Sequence, residues 1–202
     1  DLYQRWGANN YYYTSLVLNK ASIITVQSIE MKEVVLAKYG TTLRDKIRVI
    51  TFPLKHDIFD LIDKHKEKKE IQNNFKLKIG VKNFDKKVVS IGYNAASNAQ
   101  HISILRTLNQ LPKESKEKII CVLPLTYGRN EDYLKKLDAC IEELENIEVI
   151  KISEYLSWEE LALLKIITDV IIQVPLNDAL SSAVFEVMYA GNIAITGNWL
   201  PY

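Results

Sequence analysis

The chain has 202 residues, 48% of them hydrophobic, and a formal net charge of +1, with a mean hydropathy near zero. Those values fit a globular protein of one or two domains with a substantial core. They leave no global field to draw nucleic acid or an acidic membrane, so no nucleic-acid partner is expected. Cys121 and Cys140 lack both metal-ligand spacing and a disulfide framework, and each falls in an apolar-periodic stretch. They read as reduced core thiols, and a cytoplasmic setting is the expectation that follows.

The longest apolar run, Leu161 to Leu176, is broken by Lys165 and Asp169 and does not suit a membrane span. The first residues lack the charged-then-apolar form of a signal peptide. The sequence opens without Met and stops at "GNWLPY", soon after an apolar strand pattern. It is expected to be a piece of a longer protein.

The elements begin with an aromatic and polar segment that predicts a helix from about Asn10 to Lys20. "SIITVQS" is β-branched and predicts a strand. Ser28 is placed to cap the helix "IEMKEVVLAKYG", which stops at Gly40, and "KIRVITF" is a second strand closed by Pro53. This is a β-α-β rhythm, as in a parallel sheet. Residues 1–62 are expected to be the end of a first α/β domain. Residues 63–86 are Lys-rich and poor in large apolar residues, and predict a solvated connector. The alternative, a basic surface touching anionic lipid headgroups, is weakened by the interleaved acids.

From residue 87 to 202 strands and helices alternate. "VVSIGY", "KIICVLPL", "IEVIKI", "DVIIQVP" and "IAIT" predict five strands. Between them "AQHISILRTLNQL", "NEDYLKKLDACIEELE", "SWEELALLKIIT" and "SSAVFEVMYAG" predict four helices. Ser157 and Glu160 have capping-box spacing. The expected architecture is a Rossmann-like, doubly wound parallel sheet, whose ligands bind outside the carboxyl ends of the strands. The loops to inspect are therefore Gly92–His101, Pro124–Asn130, Ile152–Ser157 and Pro175–Ser182.

In the last of these, "LNDALSSAVFEVMYAG" places Asp178 and Glu186 on either side of a run of small residues. A helix start offers unpaired backbone N–H groups and a partial positive charge, which suit phosphate. Ser181 and Ser182 would let an anion approach the backbone, while Glu186, a turn further on, could accept from a ribose diol. Asp178 could reach the hydroxyls of a sugar beyond the phosphates. The plain alternative has Asp178 capping the helix and Glu186 in water.

The two acids with seven residues between them, then an apolar helix, Ala-Gly and an apolar strand, resemble the donor-binding motif of GT-B glycosyltransferases. Many retaining members carry Glu at both positions; here Asp178 stands first. The likeness extends to "WGANNYYY", similar to a Trp-Gly-x-Asp stretch with Asn9 in place of Asp, and to "ASIITVQSIEMKEVV" and "KIRVITFPLKHDIF". "VVSIGYNAASNAQH" resembles the first loop of the nucleotide-binding domain. The usual Gly-Arg and Lys-Gly pair is replaced by Ser97, Asn98 and His101. These resemble the Ser-Asn-x-x-His pattern of the enterobacterial family that adds 4-acetamido-4,6-dideoxygalactose to a lipid-linked acceptor, and Tyr127-Gly128 adds to that likeness.

The resemblance implies a partial amino-terminal domain followed by most of a nucleotide-sugar-binding domain. It implies transfer of a sugar from a nucleoside diphosphate to a saccharide or lipid-linked acceptor, as in cell-surface polysaccharide assembly. Asp178 and Glu186 take the catalytic positions. Gly92, Asn94, Ser97, Asn98, His101, Tyr127, Gly128, Arg129, Tyr155, Ser181, Ser182 and Glu186 take the donor-binding ones. Asn94, Ser97, Asn98 and His101 are equally consistent with ordinary turn chemistry, Arg129 with a solvated cation, Tyr155 with a packed ring and Trp6 with core. No bound cofactor is expected. His56 and His65 lie apart from each other and from any Cys pair, which argues against a metal site. The expected location is the cytoplasm, with peripheral association at the inner face of the membrane as an open alternative. Walker, Gly-x-Ser-x-Gly and Gly-x-Gly-x-x-Gly motifs do not occur, which removes P-loop NTPases, serine hydrolases and the standard dinucleotide fingerprint. The rival reading is a non-catalytic α/β module that senses a nucleotide or docks a partner.

Overall fold

A computed structural model describes residues 8–51, 56–178 and 180–202. It divides into two units, one formed within Asp1–Leu54 together with Asn177–Ser181 and Asn198–Tyr202, the other within Lys55–Leu176 and Ser182–Gly197. Trp6 lies outside the described residues.

In the first unit, α1 (Ala8–Lys20) leads to β1 (Ile24–Val26), α2 (Ile29–Tyr39) and β2 (Ile47–Val49). The two strands pair in parallel with Ile24 opposite Ile47 and Val26 opposite Val49. Ser28 caps α2 by accepting from the Met31 amide at 3.1 Å, as its position before the helix predicts. Gly40 closes the helix at φ +107, where a side chain would be strained. Ile24, Val26, Leu36, Leu43 and Ile47 form this unit's core.

The second unit opens with α3 (His56–His65) and α4 (Lys69–Ile79). The Lys-rich stretch expected as a solvated connector is therefore helical. Ile58 and Ile62 of α3, one turn apart, are buried, as is Phe75 of α4. The lysines lie largely on the outer side, where Lys64, Lys66 and Lys78 pair with Glu159, Asp63 and Glu160. An apolar stripe one or two residues wide per turn is enough to dock a helix whose remaining positions are polar.

There follow β3 (Lys87–Ile91), α5 (His101–Asn109), the short α6 (Lys113–Lys116), β4 (Ile119–Pro124) and α7 (Glu131–Glu142). The chain continues with β5 (Glu148–Ile152), α8 (Trp158–Ile167), β6 (Val170–Gln173), α9 (Ser182–Tyr189) and β7 (Ile193–Thr196). The strands form one parallel sheet in the order β5-β4-β3-β6-β7.

Alternation along the strands sorts the core into two layers. Val89, Ile91, Cys121 and Leu123 face α5 and α7, meeting Leu105 and Leu137. Val88, Ile120 and Val122 face the other way and pack on Phe75, Leu163, Leu164 and Ile167 of α4 and α8. Because both faces are covered, the central strands read as continuous apolar runs. Cys121 and Cys140 are buried free thiols, and burial pushes the Cys121 thiol up to about 12. This is the core role expected of them.

Helix α8 begins with the capping box expected from "SWEE". The Glu160 amide donates to Ser157 Oγ at 3.2 Å, and the Ser157 amide donates to Glu160 Oε2 at 2.8 Å. Glu160 also meets Lys78 of α4. That cation and the Ser157 amide hold its carboxyl down to about 2.

Candidate functional site

The strand order reverses between β3 and β6. The chain leaves β3 for β4 over one face of the sheet and enters β6 from α8 on the other. In sheets of this kind, the two loops that diverge at such a point leave a crevice at the carboxyl edge. Here those loops are Gly92–His101 and the segment that follows Gln173.

Gly92 turns the chain out of β3 at φ +66, and an added Cβ would lie 2.9 Å from His101 Nε2. The position therefore requires glycine for its backbone conformation and for space. Asn94 Oδ1 accepts from the Ala96 amide at 2.9 Å, the local turn chemistry that competes with a ligand role. The Ala95 amide donates to the Tyr127 carbonyl at 2.7 Å, and the Leu176 amide to the Asn98 carbonyl at 3.1 Å. The Gln100 amide side chain donates to the Val174 carbonyl. Three loops that lie far apart in sequence, after β3, β4 and β6, are thus tied together at one edge.

Within this cluster the predicted residues occupy different depths. Ser97 is exposed, and Asn94 and Asn98 are half-buried. Tyr127 is 52% exposed and its ring lies 6.3 Å from that of Tyr93. Gly128, at φ +73, supplies the bend after Tyr127. Arg129, exposed to solvent, donates from Nε to the Leu125 carbonyl at 3.3 Å and from its guanidinium to the Ser153 carbonyl, so it bridges the loops after β4 and β5. Tyr155 is 82% exposed, which rules out the packed-ring alternative.

His101 is fully buried. As the first residue of α5 it points inward, and its Nδ1 shares a 3.0 Å hydrogen bond with the Tyr133 hydroxyl. The structure places it beneath the first loop, against Gly92, instead of on the crevice surface. Burial pushes its imidazole down to about 4, opposed by the nearby Asn94 backbone. Gly92→Ala should destabilise the chain by about 1–2 kcal/mol, the ordinary cost of a left-handed side-chain-bearing residue. The 2.9 Å approach to His101 should add to that loss in a urea unfolding curve.

Glu186 lies on α9 with 8% exposure, so the alternative that leaves it in water fails. Its Oε2 is 3.3 Å from Nζ of Lys165 on α8, itself 6% exposed. Burial lowers the Lys165 ammonium from its ordinary range, and the Glu186 charge opposes that shift. Ser182, exposed, opens α9. Asp178 and Ser181 belong to the first unit. Asp178 is half-buried and accepts from the Tyr202 hydroxyl at 3.4 Å, and the Ser181 hydroxyl is buried.

Sequence reasoning missed two residues of this region. In the sequence Lys165 shows only as an interruption of an apolar run. Gln173, the one polar residue inside "VIIQVP", is 1% exposed at the end of β6. Gln173 is the lone polar residue of β6, and Lys165 the lone polar residue in the apolar run 161–167 of α8, the same signal that singled out Glu186. Among the described residues, no group of three His, Cys, Asp or Glu side chains is placed to hold a metal ion. Among them, too, no helix is long and apolar enough to cross a membrane.

No family model and no curated protein matches the sequence. Solved structures do match the fold. A glycosyltransferase from Rickettsia africae is 17% identical with a TM-score of 0.75, over 98% of this chain and 50% of that one. HepE from Anabaena, in complex with UDP-glucose, is 18% identical with a TM-score of 0.70, over 96% and 50%. WaaG, a glycosyltransferase involved in lipopolysaccharide biosynthesis, is 13% identical with a TM-score of 0.67, over 100% and 52%. The chain spans about half the length of these proteins. Over that span it has the Rossmann-like fold of the GT-B glycosyltransferases.

Proposed function

We propose that this chain is the donor-binding part of a glycosyltransferase that moves a sugar from a nucleoside diphosphate sugar to a saccharide or lipid-linked acceptor. The observation that carries the reading is the reversal of strand order at β3 and β6, with the loops Gly92–His101 and Val174–Leu176 joined there by the Leu176 amide and the Gln100 side chain. The fold likeness to a protein solved with UDP-glucose supports it. The likeness to a protein of lipopolysaccharide biosynthesis supports a role in cell-surface polysaccharide assembly. The first unit is then the end of the acceptor-side domain.

In this reading the diphosphate lies at the start of α9, near Ser182, where helix amides and dipole meet its charge. Asn94, Ser97 and Asn98 supply further donors from the first loop. Glu186 accepts from the ribose, and the exposed ring of Tyr155 stacks on the base. Donors already fixed in place stabilise the diphosphate as it leaves, without reorganisation at the moment of reaction.

Calorimetric titration with uridine, guanosine and thymidine diphosphate sugars tests it. One of them should bind saturably, and the matching nucleoside diphosphate should compete. Absence of binding by every member overturns the reading. Saturable binding with no sugar transfer to any saccharide or lipid-linked acceptor, when the full protein with its complete acceptor-side domain is assayed, favours the sensing module instead.

A further inference from the structure

Gln173 closes β6, opposite Thr196 of β7. Two residues earlier, Ile171 packs on Ala183 and Val187 of α9. Side chains two apart on a strand share a face, so the Gln173 carboxamide lies on the α9 side of the sheet, at the carboxyl end, under the opening turns of the helix. It is 1% exposed. Neither Nε2 nor Oε1 has a hydrogen-bond partner among the described residues. A buried amide lacking both partners costs stability, and a residue of similar shape without polar atoms would fit the place better. Such a group is retained against the local rule where function uses it.

We infer that Gln173 is a donor-binding residue that reads a hydroxyl of the transferred sugar, an assignment that rests on the transferase reading above. The chemistry of the orphaned group selects among the parts of the donor. An ionised phosphate only accepts hydrogen bonds, so it would satisfy Nε2 and leave Oε1 unpaired. A hydroxyl both donates and accepts, and satisfies both ends of the amide; with the ribose hydroxyls given to Glu186 in the reading above, those of the transferred sugar are left for Gln173. The glutamine side chain turns about three bonds, and the inference requires a change of rotamer that brings the amide from its buried position to the carboxyl edge. Position agrees with chemistry: β6 is one of the two strands between which the order reverses.

The test uses Gln173→Met, which keeps length and volume and removes both polar atoms. Thermal unfolding is followed beside titration with the nucleotide sugar that binds the unaltered chain and with its bare nucleoside diphosphate. The expected result is a midpoint raised by about 2–4 °C and an affinity for the nucleotide sugar about ten-fold weaker, with affinity for the bare diphosphate unchanged. Equal loss for both ligands places Gln173 on the nucleotide and overturns the sugar assignment. A lowered midpoint with unaltered binding shows a purely structural amide and overturns it too. If the unaltered chain binds no member of the panel, the transferase reading fails first and this one with it. If the unaltered chain binds and Gln173→Met binds equally well, only this inference fails.

Discussion

Glu186→Ala should destabilise the chain by about 3–5 kcal/mol, the usual cost of removing one partner from a buried ion pair. The cause is Lys165, 6% exposed on α8, which would keep its ammonium in an apolar helix interface with no counter-charge at 3.3 Å. The loss should depend on pH. Burial already lowers the folded Lys165 pKa below its ordinary 10.5, and removing Glu186 lowers it further. The unfolded chain then holds a proton that the folded chain sheds between the two values. Stability of the variant should therefore rise as pH climbs through that window toward 10.5. Lys165→Met combined with Glu186→Leu should return stability to within about 1 kcal/mol of the unaltered chain, since apolar residues of similar volume commonly replace a buried pair without loss. Urea unfolding at several pH values measures all three chains. A Glu186→Ala variant as stable as the original would show that the pair does not hold α8 to α9.

That result bears directly on function. Loss of nucleotide-sugar binding in Glu186→Ala alone would have two explanations, a missing ribose contact or a loosened α9. The double substitution keeps the fold and removes the carboxylate. If it binds the nucleotide sugar as tightly as the unaltered chain, Glu186 has no ribose role and is a structural partner of Lys165.

The same pair shows how far sequence carried the structure. The alternation of apolar runs with capped amphipathic stretches was enough to place all five strands of the large sheet and its main helices. The Ser157–Glu160 capping box was visible because both partners sit within one turn. The partner of Glu186 was not, because Lys165 is 21 positions away. Only the strand order, which carries α8 and α9 to neighbouring places, brings the two together. The helical packing of the lysine-rich stretch is hidden in the sequence for a related reason. Composition averaged over 63–86 is polar, while docking depends on a few residues, Ile62 and Phe75 among them, that a helix gathers on one side. His101 was placed on the ligand side because its motif lies in a loop that faces the crevice. Its ring direction depends on Gly92 and Tyr133, which contribute space and a hydrogen bond from elements outside that motif.

Acidification should expose His101 as the weak point of the first loop. Its imidazole, fully buried, is pushed down to about 4 in the folded chain against an ordinary 6.5. In the unfolded chain the ring protonates as pH falls through 6.5, while the folded chain resists protonation until about 4. The unfolded state thus binds more protons across that window, and stability must fall with pH there. The sign follows from the depressed folded value: the contribution is intact above 6.5 and fully lost below 4. Its size is about 3 kcal/mol. His101→Leu supplies the comparison. It forfeits the 3.0 Å bond to Tyr133, about 1 kcal/mol at neutral pH, but removes the titrating group. The two unfolding free energies should therefore cross as pH falls, with the variant the more stable below about pH 5. Parallel curves from pH 7 to 4 would mean that His101 protonates as readily in the folded chain as in the unfolded one. The ring would then have access to water, and its place under Gly92 would be wrong.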